Sequence, residues 1–140
     1  MNDLDNPPPD AVRTRTCLLW KDGILIVGQF LPGAEVVLED AVENVAVTAR
    51  LTGGKAVPVL VDLRRVRSQS AEARAYLAGE EATRVSCAVA LVIQSPLSRV
   101  VGNFYLGFNR PAVPTRLFTS VSEARTWLSG LLRGAEHGHP

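Results

Sequence analysis

Apolar positions recur along the chain in two rhythms, one suited to strands and one to helices. Residues 16–30, TCLLWKDGILIVGQF, hold two short β-prone apolar runs around Asp22-Gly23. That dipeptide supplies the positive φ angles of a tight turn, so the segment predicts an N-terminal β-hairpin. After the Pro32-Gly33 break, Leu38, Ala41, Val42, Val45 and Ala49 recur at helical spacing, with Glu39, Asp40, Glu43 and Arg50 on other faces. Gly53-Gly54 then stops that helix, because both residues adopt left-handed backbone without strain.

Residues 56–63, AVPVLVDL, and 86–94, SCAVALVIQ, are near-continuous apolar runs, short and rich in valine. This is the pattern of strands covered on both faces. Between them Ser70 precedes the alanine- and glutamate-rich stretch 71–82, a helix with a serine positioned to cap its first turn. A further helix is expected from Ser95, with Pro96 at its first position and Leu97, Val100, Val101, Phe104 and Phe108 on one face. Its back carries Arg99, Gly102, Asn103 and Leu106, a candidate secondary contact surface, since the glycines cost helix stability that close approach of a neighbour would offset. A strand near 113–119 follows. Ser120 and Glu123 then form an S-x-x-E capping box before Ala124, Trp127, Leu128 and Leu131, with Gly134 as the expected stop. The predicted order is β-β-α-β-α-β-α-β-α, without internal repeats.

Length and composition narrow the picture. With 140 residues and 46% hydrophobic content, the chain suits one domain with one core. Residues 1–13, with Pro7-Pro8-Pro9, are expected as a flexible leader, 14–133 as the domain and 134–140 as a flexible tail. A formal net charge of +1 supplies no global field for nucleic acid, and no apolar run is long enough to span a membrane. Cys17 and Cys87 sit in apolar runs, where a free thiol behaves as a small hydrophobe. With no signal-peptide core at the start of the chain, a cytoplasmic setting is expected.

Reaction chemistry finds little support. Both histidines, His137 and His139, lie in the expected tail, so the domain holds none to serve as general base or metal ligand. Gly53-Gly54-Lys55 is not a Walker loop, because Ala56 follows the lysine and a helix precedes the glycines. The glycine spacing in 102–107, GNFYLG, is not that of a dinucleotide site. Glu39-Asp40 and Glu80-Glu81 are sequence neighbours on helices and diverge in direction. The expectation is a protein that is not an enzyme and uses no metal or cofactor.

One cluster stands out. Residues 62–74, DLRRVRSQSAEAR, leave the end of a buried strand and bring Arg64, Arg65, Arg67 and Arg74 beside Ser68 and Ser70 at a helix start. In an open α/β sheet that junction borders the functional edge, where arginines and free amides would hold a phosphate or dock a charged partner. A phosphoserine there would add about −1.5 to −2 charges and reverse the local potential. Ser70 and Ser68 are therefore candidate phosphoacceptors. The plainer alternative is that Ser70 is only a cap and the arginines keep a loop soluble.

Together, the order of elements and the segments VPVLVDLRRVRSQSAEAR and CAVALVIQSPLSRVVGNFYLGFNRPAVPTRLFTSVSEARTWL resemble bacterial STAS-like proteins of the SpoIIAA-like group, over about residues 14–132. The pattern SPxSRxxGNFxLGxNxPxxPTRLFTSxxEAxxWL is similar to that of a group of small uncharacterised bacterial proteins, with a weaker likeness to the anti-sigma factor antagonists themselves. The resemblance implies an α/β fold: a mixed sheet of about five strands, an N-terminal β-hairpin, and about four helices packed mainly on one face. It also implies a protein-interaction role in bacterial regulation or signalling, with a regulatory kinase, an anti-sigma factor or a signalling complex as partner. In the antagonists a serine at the start of the helix after the third strand, in a motif near D-S-S-G, is phosphorylated. Here Ala71 falls at the acceptor position and no glycine follows. Two other readings stand beside this one: a small-ligand or anion sensor using the same arginines, as some STAS and SEC14-like domains bind nucleotides or lipids, and an oligomeric scaffold.

Overall fold

The computed structural model describes residues 3–94 and 113–137. Eight strands and four α-helices follow in chain order among them: β1 Val12–Arg13, β2 Cys17–Asp22, β3 Leu25–Phe30, β4 Glu35–Val36, α1 Leu38–Thr52, β5 Val57–Asp62, β6 Ser68–Gln69, α2 Ala71–Leu77, α3 Glu80–Thr83, β7 Ser86–Val92, β8 Thr115–Phe118 and α4 Val121–His137. Six strands form one mixed sheet in the order β1-β2-β3-β5-β7-β8, antiparallel from β1 to β3 and parallel from β3 to β8. The expected hairpin is present, one residue displaced. Asp22 pairs with Leu25, so the turn residues are Gly23 and Ile24, and the positive φ falls on Gly23 alone.

Alternation along the parallel strands splits the core between the two faces of the sheet. Val27, Leu60, Ala90 and Val92 pack against Ala124 and Leu128 of α4 on one face. Ile26 and Val59 pack against Ala41 and Val47 of α1 and Ala73 of α2 on the other. Three of the four described helices thus share one face. Phe118 meets Trp127 at 5.7 Å between ring centroids, and Arg125 of α4 reaches Asp22 at 2.9 Å.

Several expectations shift. The leader contributes to the domain: Leu4, in a short 3-10 turn over Asp3–Asp5, is completely buried in the α4-side core, and β1 adds a sixth strand. The Leu4 carbonyl also accepts from Gln29 Nε2, and Val12 and Arg13 pair with Leu19 and Leu18. The tail differs likewise, because α4 runs through Gly134 to His137. The helix expected over 71–82 is two helices, broken at Ala78-Gly79. Cys17 is buried as expected, but strand alternation turns Cys87 outward and leaves it exposed.

α1 presents a face different from its apolar periodicity. It buries Asp40, Ala41, Asn44, Val47 and Thr48 and leaves Leu38 and Val42 exposed. Asp40 and Asn44, one turn apart, serve the loop between β1 and β2, while Thr48 donates to the Asn44 carbonyl within the helix. Asn44 Oδ1 accepts from Thr14 Oγ1 at 2.7 Å, Asn44 Nδ2 donates to Thr16 Oγ1 at 3.3 Å, and Asp40 pairs with Arg15. Because the N-cap Val37 has no polar side chain, Asp40 reaches back to accept from its N–H at 2.9 Å. The Arg15 guanidinium holds the Asp40 carboxyl below the usual carboxylate range.

Candidate functional site

The strand-to-helix junction after β5 is built on a second, minimal sheet. β4 and β6 pair in parallel, Glu35 with Ser68 and Val36 with Gln69, and bring the starts of α1 and α2 side by side. Gly33, at φ +76, donates its N–H to Arg65 O at 2.8 Å, and Arg67 N–H donates to Ala34 O at 2.8 Å. Backbone hydrogen bonds to the Leu31–Val36 segment thus fix the arginine-rich loop from Leu63 to Ser70. The sheet C-terminal edge lies directly beneath it, with Leu63 N–H donating to Val92 O.

This scaffold sorts the arginines into different roles. Arg64 forks onto Asp62, with Nε to Oδ1 and Nη2 to Oδ2 both at 2.9 Å, while its backbone N–H donates to Oδ1 at 3.0 Å. Gln29 Nε2 adds a bond to Asp62 Oδ2 at 3.3 Å and another to the Leu4 carbonyl. Burial alone would raise the Asp62 pKa, but the bonds from Arg64 and Gln29 outweigh it and hold the carboxyl below its ordinary value. Arg64 is therefore a structural cation. Arg74 donates from Nη1 to Gln69 O at 3.2 Å and is half-buried. Arg65 and Arg67 are exposed, and among the described residues neither has an ion-pair partner.

The two serines divide in the same way. Ser70 is the N-cap of α2, its Oγ accepting from Ala73 N–H at 3.1 Å. Ser68 is exposed on β6, beside Arg67 in sequence. The secondary surface expected at Arg99, Gly102, Asn103 and Leu106 lies outside the described residues.

Beneath the loop, between the sheet and helices α1 to α3, lies a cavity of about 360 Å³. Its described wall is mainly apolar, with Leu19, Val61, Leu77, Val89 and Leu91, interrupted by Asn44, Thr48 and Ser86, and it reaches Arg67, Ser68 and Gln69 at the edge. The sequence carries no local signal for this space, since the described residues that line it come from segments far apart in the chain. Among the described residues no three of His, Cys, Asp and Glu are grouped to hold a metal ion, and no helix is long and apolar enough to cross a membrane.

Residues 18–132 match the DUF7793 family, a domain of unknown function. The chain belongs to the DUF7793 family. No curated protein matches it in sequence. In three dimensions this DUF7793 domain is similar to an uncharacterised protein of the DUF3478 family from Shewanella loihica PV-4, which has a SpoIIAA-like fold. The TM-score is 0.57 at 16% identity, over 80% of this chain and 91% of that one. It is also similar to an anti-sigma factor antagonist from Mycobacterium paratuberculosis, with a TM-score of 0.56 at 17% identity over 81% and 93% of the two chains. The fold of the DUF7793 domain is SpoIIAA-like, as the sequence resemblance implied.

Proposed function

We propose that this DUF7793 domain is a non-enzymatic protein-interaction module of bacterial regulation, working in the cytoplasm and docking a protein partner at the junction formed by β6 and the start of α2. The observation that carries the reading is the sorting at that junction. Arg65, Arg67 and Ser68 are exposed beside it, while Arg64 and Ser70 are committed to holding it in shape. A rigid loop presenting exposed cations suits a partner with an acidic surface, because the loop loses little freedom on binding. The anti-sigma factor antagonist with a similar fold supports a regulatory setting.

Within this reading Ser68 is the better phosphoacceptor. Ser70 is half-buried with its Oγ already engaged by Ala73 N–H, whereas Ser68 is exposed and caps no helix. Phosphate on Ser68 would lie in sequence beside Arg67, close to Arg65, and would cancel the charge offered to the partner. The test is retention of partners by the immobilised full chain, compared with Arg65→Glu/Arg67→Glu and with Arg84→Glu as a control on a remote surface. The reading expects the double variant and Ser68→Asp to lose proteins that the wild type and control retain. An identical set on all four would overturn it.

A further inference from the structure

We propose that the N-terminal turn over Asp3–Asp5 is a strap that locks the arginine-rich loop from the α4 face of the sheet, so that seating or release of Leu4 sets whether the loop keeps its docking shape. That the loop docks a partner rests on the reading above, whereas the lock itself involves no partner.

Strand alternation places the parts. Val27 and Leu60 belong to the core under α4, so Gln29 and Asp62, the next residues but one on the same strands, point to that face as well. The two are register partners in the parallel β3–β5 ladder, at the end where the loop departs. The loop then leads to the other face: β6 pairs with β4, and α1 and α2, which follow those strands, pack on the opposite core. Asp62 and Arg64 are bonded to each other at this crossing.

The strap engages the crossing at three points. Leu4 is completely buried in one cluster with Trp20, Leu60 and Leu128. Its carbonyl accepts from Gln29 Nε2, and the same nitrogen donates to Asp62 Oδ2 at 3.3 Å. Asp5 Oδ1 lies 3.8 Å from Arg64 Nη2. One amide group thus serves both the strap and the carboxylate that holds Arg64, and the seated strap fixes its orientation. Release of Leu4 frees that amide to turn, withdraws Asp5 from Arg64, and opens the seat beside Leu60 to water. The Asp62–Arg64 fork then weakens, because a charge-assisted bond loses strength as water screens it. The strap is also built to leave alone. Pro7, Pro8 and Pro9, between it and β1, carry no backbone N–H to join a ladder, so its release leaves the pairing of β1 with β2 intact.

The test is amide hydrogen exchange of the full chain, read by NMR at three loop reporters. These are Arg64, whose N–H donates to Asp62 Oδ1, Arg67, whose N–H donates to the Ala34 carbonyl, and Gly33, whose N–H donates to the Arg65 carbonyl. Leu4→Asp, which cannot seat in an apolar core, should speed exchange at all three by about tenfold or more. Gly54, whose N–H bonds the Ala49 carbonyl at the other end of α1, should change by less than about twofold. Trp127→Ala loosens the same core away from the strap and should leave the loop reporters within about twofold of wild type. Gln29→Leu keeps the apolar seat, removes both amide bonds, and should speed the loop reporters as Leu4→Asp does. Leu4→Ser replaces Leu4→Asp if circular dichroism shows that variant unfolded. Loop reporters that the Leu4 variant leaves unchanged, or speeds no more than Gly54 or than Trp127→Ala does, would overturn the lock. Since no partner is present in the measurement, that failure is distinct from a failure of the docking reading.

Discussion

Arg64 grips Asp62 through two parallel 2.9 Å bonds across a single intervening residue, and this fork converts the most strand-proximal arginine of the loop into part of the fold. The carboxylate is buried and Gln29 and the Arg64 backbone also bond it. Asp62→Asn keeps the shape and removes the charge. It is expected to cost about 2 kcal/mol, within the range for hydrogen bonds to charged groups, measured as a shift of the urea midpoint at unchanged slope. A variant as stable as the wild type would show that the fork contributes nothing.

The same pair sets a pH dependence. The Asp62 and Asp40 carboxyls both have folded pKa values below their ordinary ones. A depressed carboxylate contributes stability above its unfolded pKa, about 3.9 for Asp, and loses it as pH falls through the lower folded value. Tm is therefore expected to fall steeply below about pH 4. The gap between wild type and Asp62→Asn should narrow over the same range. A gap that stays constant down to pH 2 would contradict the assignment.

Ser70 and Ser68 should behave as a cap and a surface residue. Ser70→Ala removes the oxygen that accepts from Ala73 N–H and is expected to cost about 1 kcal/mol. Ser68→Ala should fall within about 0.5 kcal/mol of wild type. Reversal of that order in chemical denaturation would exchange their roles.

Leu4 carries the sharpest departure from composition. Its side chain is fully buried with Trp20, Leu60 and Leu128 in the same cluster. Leu4→Ala is expected to cost about 2–5 kcal/mol, as core truncations do, although it lies in a proline-rich segment. A cost below about 0.5 kcal/mol, that of an exposed site, would mean that the segment does not hold its place in solution.

What the sequence made legible was local. The hairpin around Gly23, the stop of α1 at Gly53 and the cap at Ser70 each depend on neighbours within a few residues, and β5 and β7 show in their own continuous apolar runs. The cap and the stop are single backbone positions that only a few residue types fill. β4 and β6 escaped detection because each is two residues long and exists only through pairing with the other. The sorting of the arginines escaped for a related reason. The spacing of Asp62 and Arg64 was visible, but whether a side chain folds back or faces solvent depends on the turn at Leu63, which Val92 fixes from another strand. The loop was found, then, and its division into supporting and presenting residues was not.

α1 shows how periodicity can indicate the wrong face, and it yields the last prediction. Its apolar residues at Leu38, Val42 and Val45 lie at helical spacing, yet Val42 is exposed while Asn44 is buried beneath it in the turn order. The buried side is chosen by hydrogen bonding: Asn44 answers the hydroxyls of both Thr14 and Thr16, which would otherwise be buried with fewer partners. Leaving such groups unsatisfied costs about 1–3 kcal/mol, comparable to the gain from burying one more valine. Asn44→Ala is accordingly expected to destabilise the domain by about 1–3 kcal/mol, and Val42→Ser by less than about 0.5 kcal/mol. Thr14→Val combined with Asn44→Ala should cost less than the sum of the two single changes, because the pair they share is lost only once. Additive costs would show that Thr14 and Asn44 do not act together, and a Val42→Ser penalty equal to that of Asn44→Ala would require α1 to be turned toward the face that its apolar spacing suggests.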